Sequence, residues 1–87
     1  MKYPIDFTDR ALKDISFFKK AGHTQLLSKA FDLILEIAEH PFTGSGRPEP
    51  LKHNLSGKWS QRINLEHRIV YEVLDDAVVI YSLKGHY

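Results

Sequence analysis

The spacing of apolar residues changes period at His40-Pro41, and this change limits the fold more than any other feature of the chain. Before it, Ala11, Leu12, Ile15 and Phe18 recur as one face of a helix, and so do Leu27, Ala30, Phe31, Ile34, Ile37 and Ala38. After it, the apolar residues fall in short β-branched and aromatic runs: Trp59 to Asn64, Arg68 to Leu74 and Val78 to Leu83. Two helices followed by consecutive strands predict an α+β fold, with the helices packed on one face of a small, mainly antiparallel β-sheet. The chain has 87 residues, so a single domain over residues 1–87 is expected.

Local signals set the expected boundaries. Lys2 to Phe7 reads as a short strand, and Pro4, which lacks an N–H, places it at an edge or delays its start. Thr8 is the expected N-cap of a helix running to about Lys20, with Gly22 just beyond its end. Thr24 is the expected cap of the second helix, which His40-Pro41 terminates. Pro41 to Gly57 holds three of the four prolines and three of the five glycines, and reads as a loop anchored by Leu51 and Leu55. Alternation puts Arg68, Val70 and Glu72 on one face, with Ile69, Tyr71 and Val73 on the core side. Arg62 faces away from Ile63 and can share the face of Arg68 if the register allows. That face is expected to be open to solvent or a partner. Turn length decides whether Leu83 or Lys84 falls opposite Arg68, and both remain open.

Composition removes several classes of function. Apolar residues make up 43% and charged residues 26% of the chain, which is globular rather than disordered. Cysteine is absent, which excludes a disulfide framework, a thiol nucleophile and a cysteine zinc site. The stretch Met1 to Asp6 lacks the apolar core of a secretory signal, and Ala77 to Tyr81 is far too short to span a bilayer. A cytoplasmic domain without membrane contact is expected. Gly44-Ser45-Gly46 lacks P-loop spacing, HExxH is absent, and His53 and His67 have no tight ligand spacing. Neither a metal nor a cofactor is expected.

The net charge of +1 hides an uneven layout. Between Gly46 and Arg68, the five cations Arg47, Lys52, Lys58, Arg62 and Arg68 face only Glu49 and Glu66, a local balance of +3. Such a segment suits an anion-binding surface, and a solvated loop and hairpin face is the plainer alternative. One carboxylate, several cations and His86 suit internal RNA cleavage by the neighbouring 2′-OH. That reaction needs a base, cations for the growing phosphate charge and an acid for the departing 5′-oxygen. Glu49 is the candidate base, held by loop prolines; otherwise it is a surface carboxylate near Lys52. Arg62, Arg68 and Lys52 are candidate phosphate ligands; otherwise the arginines pair with Glu66 or Glu72. His86 is the candidate acid, or else a frayed tail residue. Tyr87 and Trp59 are candidate stacking rings, with Trp59 alternatively in the core.

The run Gly46-Arg47-Pro48-Glu49-Pro50-Leu51-Lys52-His53-Asn54-Leu55-Ser56-Gly57, followed by Trp59-Ser60, Arg62-Ile63 and Glu66-His67-Arg68-Ile69-Val70-Tyr71, resembles the YoeB/Txe toxins. These belong to the RelE-like ribosome-dependent mRNA interferases, and the final His86-Tyr87 matches as well. The resemblance is dense from Pro41 to Tyr87 and thinner over the helices. It implies a toxin of a type II toxin–antitoxin pair that cuts mRNA in the ribosomal A site without metal. It implies Glu49 as general base, His86 as general acid and Arg68 as phosphate stabiliser. It further implies Lys52 and Arg62 as supporting cations and Tyr87 at the site through its ring or carboxylate. The implied partners are the ribosome and mRNA, a YefM/Axe-like antitoxin that masks the site, and a second copy of the toxin as a homodimer.

Three places depart from that family: Leu65 replaces a commonly polar or acidic turn residue, Lys84-Gly85 stands where an arginine and an aromatic commonly precede the terminal His-Tyr, and Gln61 is the third. Gln61 stands where a second arginine is usual beside Arg62, so one phosphate-binding cation fewer is expected. Gly85 precedes His86, and a glycine there is expected to loosen the backbone. This leaves an alternative reading: a catalytically weak, toxin-like module that acts mainly by binding antitoxin or ribosome.

Overall fold

The computed structural model describes residues 2–85. Helices α1 (Asp9–Lys20) and α2 (Thr24–Glu39) pack against a five-stranded sheet. Its strands are β1 (Ile5–Phe7), β2 (Glu49–Pro50), β3 (Trp59–Arg62), β4 (Arg68–Val73) and β5 (Val78–Ser82), in the order β1-β5-β4-β3-β2. All neighbours are antiparallel except β1 and β5. The α+β architecture expected from the change of period is therefore the one observed.

Pro4 acts as anticipated. The strand starts only at Ile5, lies at the sheet edge, and uses the Pro4 carbonyl to accept from Val78 N–H at 2.9 Å. Thr8 caps α1: its hydroxyl accepts from Ala11 N–H at 3.1 Å and donates to the Tyr81 carbonyl at 2.8 Å. The second cap differs from expectation. Thr24 is the first residue of α2, His23 holds the cap position, and no side chain bonds the free amides there. The entry to α2 is set instead by backbone bonds such as Thr24 N–H to the Gly22 carbonyl at 2.9 Å, with Gly22 at φ 78°.

The core joins Ala11, Phe18, Ala30, Leu33, Ile34 and Ile37 from the helices to Ile63, Ile69, Tyr71, Val78, Ile80 and Leu83. Leu12 and Phe31, expected on the buried faces, are exposed. They lie at the margins of their helical stripes, and the sheet is too small to cover those margins. The loop from Pro41 to Gly57 is more structured than expected. It contains β2 and a 3₁₀ turn, His53–Leu55, with Leu51 and Leu55 half-buried.

Register gives Trp59 opposite Tyr71, Gln61 opposite Ile69, Ser60 opposite Val70 and Arg62 opposite Arg68. Directly opposed residues share a face, so Ser60, Arg62, Arg68 and Val70 lie together on the side away from the core. A bulge at Tyr81 leaves Ser82 opposite Val70 and Ile80 opposite Tyr71. Beyond Ser82 the chain turns toward α1: Leu83 is in the core, and the Lys84 ammonium sits 3.9 Å from the Phe17 ring centroid. The second face is less open than expected. Ser60, Arg68, Val70 and Ser82 are all buried, because polar side chains on this face lie across one another rather than reaching into water.

Candidate functional site

Glu49 is placed by backbone. Several bonds hold the segment that carries it. The Tyr71 hydroxyl donates to the Pro41 carbonyl, and Ser45 N–H donates to the Glu36 carboxylate at 3.1 Å. Arg62 N–H donates to the Gly46 carbonyl at 2.8 Å, and Leu51 N–H to the Lys58 carbonyl at 2.9 Å. Gly46 packs directly on Gln61, where a Cβ would lie 2.6 Å from Gln61 Oε1 and 2.8 Å from Gln61 Cβ. Arg47, at φ 56°, then turns the chain into β2, where Glu49 pairs with Ser60.

This register brings Glu49 to Arg68. Glu49 Oε1 lies 3.7 Å from Arg68 Nη2, with the glutamate side chain 66% exposed and the arginine side chain 11% exposed. Arg68 Nε donates to Ser60 Oγ at 3.0 Å, which orients the guanidinium. Nη2 is buried and makes no hydrogen bond among the described residues. An unspent donor on a buried cation is unfavourable, and an anion reaching it would recover that loss. A water-facing carboxylate beside such a cation can accept a proton next to where negative charge is held.

Arg62 lies directly across from Arg68 and is exposed, so two guanidinium groups share this face as the alternation suggested. Lys52 is exposed at the start of the 3₁₀ turn and forms no ion pair among the described residues. His86 and Tyr87 lie outside the described residues. Trp59 shares the Tyr71 face, packs on the core and meets the Phe42 ring at 5.0 Å, so it is not on the Arg68 face.

Gln61 is a correction. It is fully buried on the core face, and its amide nitrogen donates to the Tyr71 hydroxyl at 3.1 Å. A residue pointing there cannot be a phosphate cation of the opposite face, so no such ligand is lost at this position. Burial raises the Tyr71 phenol above its ordinary value, which keeps it a neutral donor for the Pro41 carbonyl. On the other face, the hydrogen bond to Glu72 and then burial raise Tyr81, whose ring lies under the Lys58 ammonium at 4.8 Å.

Sequence reasoning missed Ser60 and Asp14. The alternation that placed Arg62 also places Ser60 on the same face. Asp14 falls between Ala11 and Phe18 on the inward stripe of α1, and a carboxylate there signals a buried acceptor. Asp14 is buried and its Oδ2 accepts from Leu83 N–H at 2.9 Å and Lys84 N–H at 3.2 Å.

Comparison with known proteins identifies the lineage. The profile of the YoeB-like toxins of bacterial type II toxin–antitoxin systems matches residues 7–87. The chain belongs to this family. Toxin YoeB of Synechocystis sp. is 47% identical to it over 83 residues, 95% of each chain. The YoeB dimer from Staphylococcus aureus superposes with a TM-score of 0.89 at 38% identity, covering 100% of both chains. A YoeB-YefM complex from Staphylococcus aureus gives 0.85, also at 38% identity and 100% coverage of both chains.

In this YoeB-like chain a cleft lies away from the Glu49–Arg68 pair. About 810 Å³ in volume, it opens between the α1–α2 turn and the β3–β4 turn, and its lining includes Phe18, His23, Lys29 and His67. No group of three His, Asp or Glu among the described residues converges to hold a metal. No helix among them is long and apolar enough to cross a membrane.

Proposed function

We propose that this YoeB-like toxin is a ribosome-dependent, metal-independent endoribonuclease that cuts mRNA in the ribosomal A site and so inhibits translation. The observation that carries the reading is the pairing of a solvent-facing Glu49 carboxylate with a buried Arg68 guanidinium whose Nη2 makes no hydrogen bond among the described residues. Glu49 takes the proton of a ribose 2′-OH, whose oxygen attacks the adjacent phosphorus. Arg68 receives the charge that grows on the phosphate oxygens. The 5′-oxygen leaves with a proton from His86, and a 2′,3′-cyclic phosphate remains. Arg62 and Lys52 hold flanking phosphates, and Tyr87 completes the site through its ring or carboxylate.

A net charge of +1 gives little grip on free RNA, which supports substrate presentation by the ribosome. That dependence places the protein in the cytoplasm. The Staphylococcus aureus relatives, one a YoeB dimer and one in a YoeB-YefM complex, support a YefM-like antitoxin partner and homodimer formation here. The binding-only alternative rests in part on a loosened backbone at Gly85. Gly85 sits at φ 94° with its N–H and its carbonyl both hydrogen-bonded, so glycine serves a defined turn rather than loosening the chain.

Primer extension on messages in a reconstituted translation reaction tests the proposal. Wild-type protein is expected to leave position-specific ends in ribosome-bound mRNA and few in free mRNA. Glu49→Ala and His86→Ala should each lower cleavage by about 100-fold or more. Equal cutting of free and ribosome-bound RNA would remove the ribosome dependence, and full activity in both variants would remove the assigned roles.

A further inference from the structure

Two opposite charges on the outer sheet face stand side by side without closing into a pair. An arginine and a carboxylate commonly meet through two parallel N–H···O bonds of about 2.7–2.9 Å. Glu49 Oε1 stops 3.7 Å from Arg68 Nη2, beyond hydrogen-bond reach, although Nη2 makes no hydrogen bond among the described residues. The glutamate side chain is mostly in water, so packing around the carboxylate does not explain the gap. The guanidinium is held from elsewhere: Ser60 Oγ accepts from Arg68 Nε at 3.0 Å. Ser60 is buried and lies in register with Glu49 on β2 and Val70 on β4, which makes Arg68 its diagonal neighbour on this face. The other charged groups here offer Arg68 no competing acceptor. Arg62, directly opposite, is itself a cation, and the Glu72 carboxylate takes the Tyr81 hydroxyl at 2.8 Å.

Resting on the nuclease reading above, we propose that Ser60 is a positioning residue that keeps the general base and the phosphate cation apart: its hydroxyl takes Arg68 Nε and holds the guanidinium short of a closed pair with Glu49. Nε is one of the two donors in the side-on fork between arginine and carboxylate. With Nε spent on Ser60, only the end-on approach through the two Nη groups remains. A closed pair would cancel both partners. It would occupy the carboxylate oxygens that must take the 2′-OH proton and the Nη donor that must receive the phosphate charge. Held apart, the carboxylate stays in water and Nη2 stays unspent until an anion reaches it. One residue acts on both sides of the site. The Ser60 main chain carries the β2 pairing that places Glu49, and its side chain turns Arg68.

Two variants test the hydroxyl. Ser60→Ala removes the acceptor, and Ser60→Thr keeps it. Single-turnover cleavage of message on programmed ribosomes is measured across toxin concentrations, and the crystal structure of Ser60→Ala is determined. Ser60→Ala is expected to lower the saturating rate by about 10- to 100-fold while the half-saturating concentration stays unchanged. Ser60→Thr should recover most of that rate. In the Ser60→Ala structure, Glu49 and Arg68 should meet through two bonds of about 2.8 Å. In ¹⁵N spectra of the wild-type protein, the Arg68 Nε–H should exchange slowly with water, a readout that does not depend on either variant folding. A wild-type rate in Ser60→Ala, equal losses in both variants, a pair still open in the Ser60→Ala structure, or fast exchange of the wild-type Nε–H would overturn the positioning role. Intact ribosome-bound message with wild-type protein would instead overturn the nuclease reading. The Ser60→Ala structure would then still decide whether Ser60 holds the two charges apart.

Discussion

The candidate site is approached by two segments held by different elements. The segment carrying Glu49 is fastened from the sheet and α2, by a fitted Gly46, a two-residue strand, and bonds from the Tyr71 hydroxyl, the Glu36 carboxylate and the Arg62 amide. The functional carboxylate itself stays largely in water. The segment leading to His86 is fastened by side chains, Asp14 from α1 and His67 from the start of β4. These contacts hold the main chain of the segment and leave the Glu49 side chain, proposed as the base, free to meet substrate. The last described residues depend on a more distant element, since Asp14 lies 69 and 70 positions from the amides it holds.

Breaking each fastening should have a distinct cost. Asp14→Ala is expected to be the most damaging, because it leaves two amides at the α1–β5 junction without their acceptor. A loss of about 2–4 kcal/mol of folding stability is expected in urea denaturation. The Arg10 pair, whose own side chain is 59% exposed, adds little to that loss. A change below about 1 kcal/mol would mean that the tail does not depend on this carboxylate.

Gly46→Ala should follow at about 2 kcal/mol, because the new methyl collides with Gln61 backed by the core rather than with solvent. It should also depress cleavage, since Glu49 lies three residues further along the same fastened segment. An unchanged rate would show that β2 pairing alone places the carboxylate.

Gly85→Ala is expected to cost about 1 kcal/mol, from the left-handed φ of 94° and not from crowding, since a Cβ there meets nothing within 4 Å. Comparing it with Gly46→Ala separates conformational strain in the tail from steric fit in the loop. Thermal unfolding of the two variants side by side makes that comparison.

The smallest expected effect is alkaline and confined to the Glu49 segment. Tyr71 has a pKa raised above 10.0 by burial, so the folded state holds its proton more tightly than the unfolded chain does. That stabilisation is fully present below pH 10 and is lost as pH rises through the raised folded value. Melting temperature should therefore fall more steeply above pH 10 in wild-type protein than in Tyr71→Phe, whose lower starting stability reflects the lost bond to Pro41. Parallel curves would show that Tyr71 does not govern this transition.

Much of the fold was legible because it is local. The caps and stops at Thr8, Gly22 and Pro41, and the stripes through Ala11, Phe18, Ala30, Ile34 and Ile37, depend on residues within a few positions of one another. The PEPLKHNLSG run and the EHRIVY strand exposed the family and the candidate residues Glu49, Arg62 and Arg68. The side of Gln61 could have been read from its alternation with Arg62, yet the family comparison suggested a missing cation instead. Sequence alone leaves Trp59 between core and stacking, and its register with Tyr71 places it on the core side.

By itself, the sequence determined the order of the two helices and of every strand but β2, the edge position or late start of the first strand, and the residue types available for chemistry. These follow from hydrophobic period, proline's missing donor and short-range capping. Only the tertiary structure decided that Arg68 is buried beside an exposed Glu49, that Ser60 turns its guanidinium, and that Asp14 and His67 hold the chain before His86. Those contacts join residues far apart in the chain, and strand register and helix packing must be in place before any of them can form.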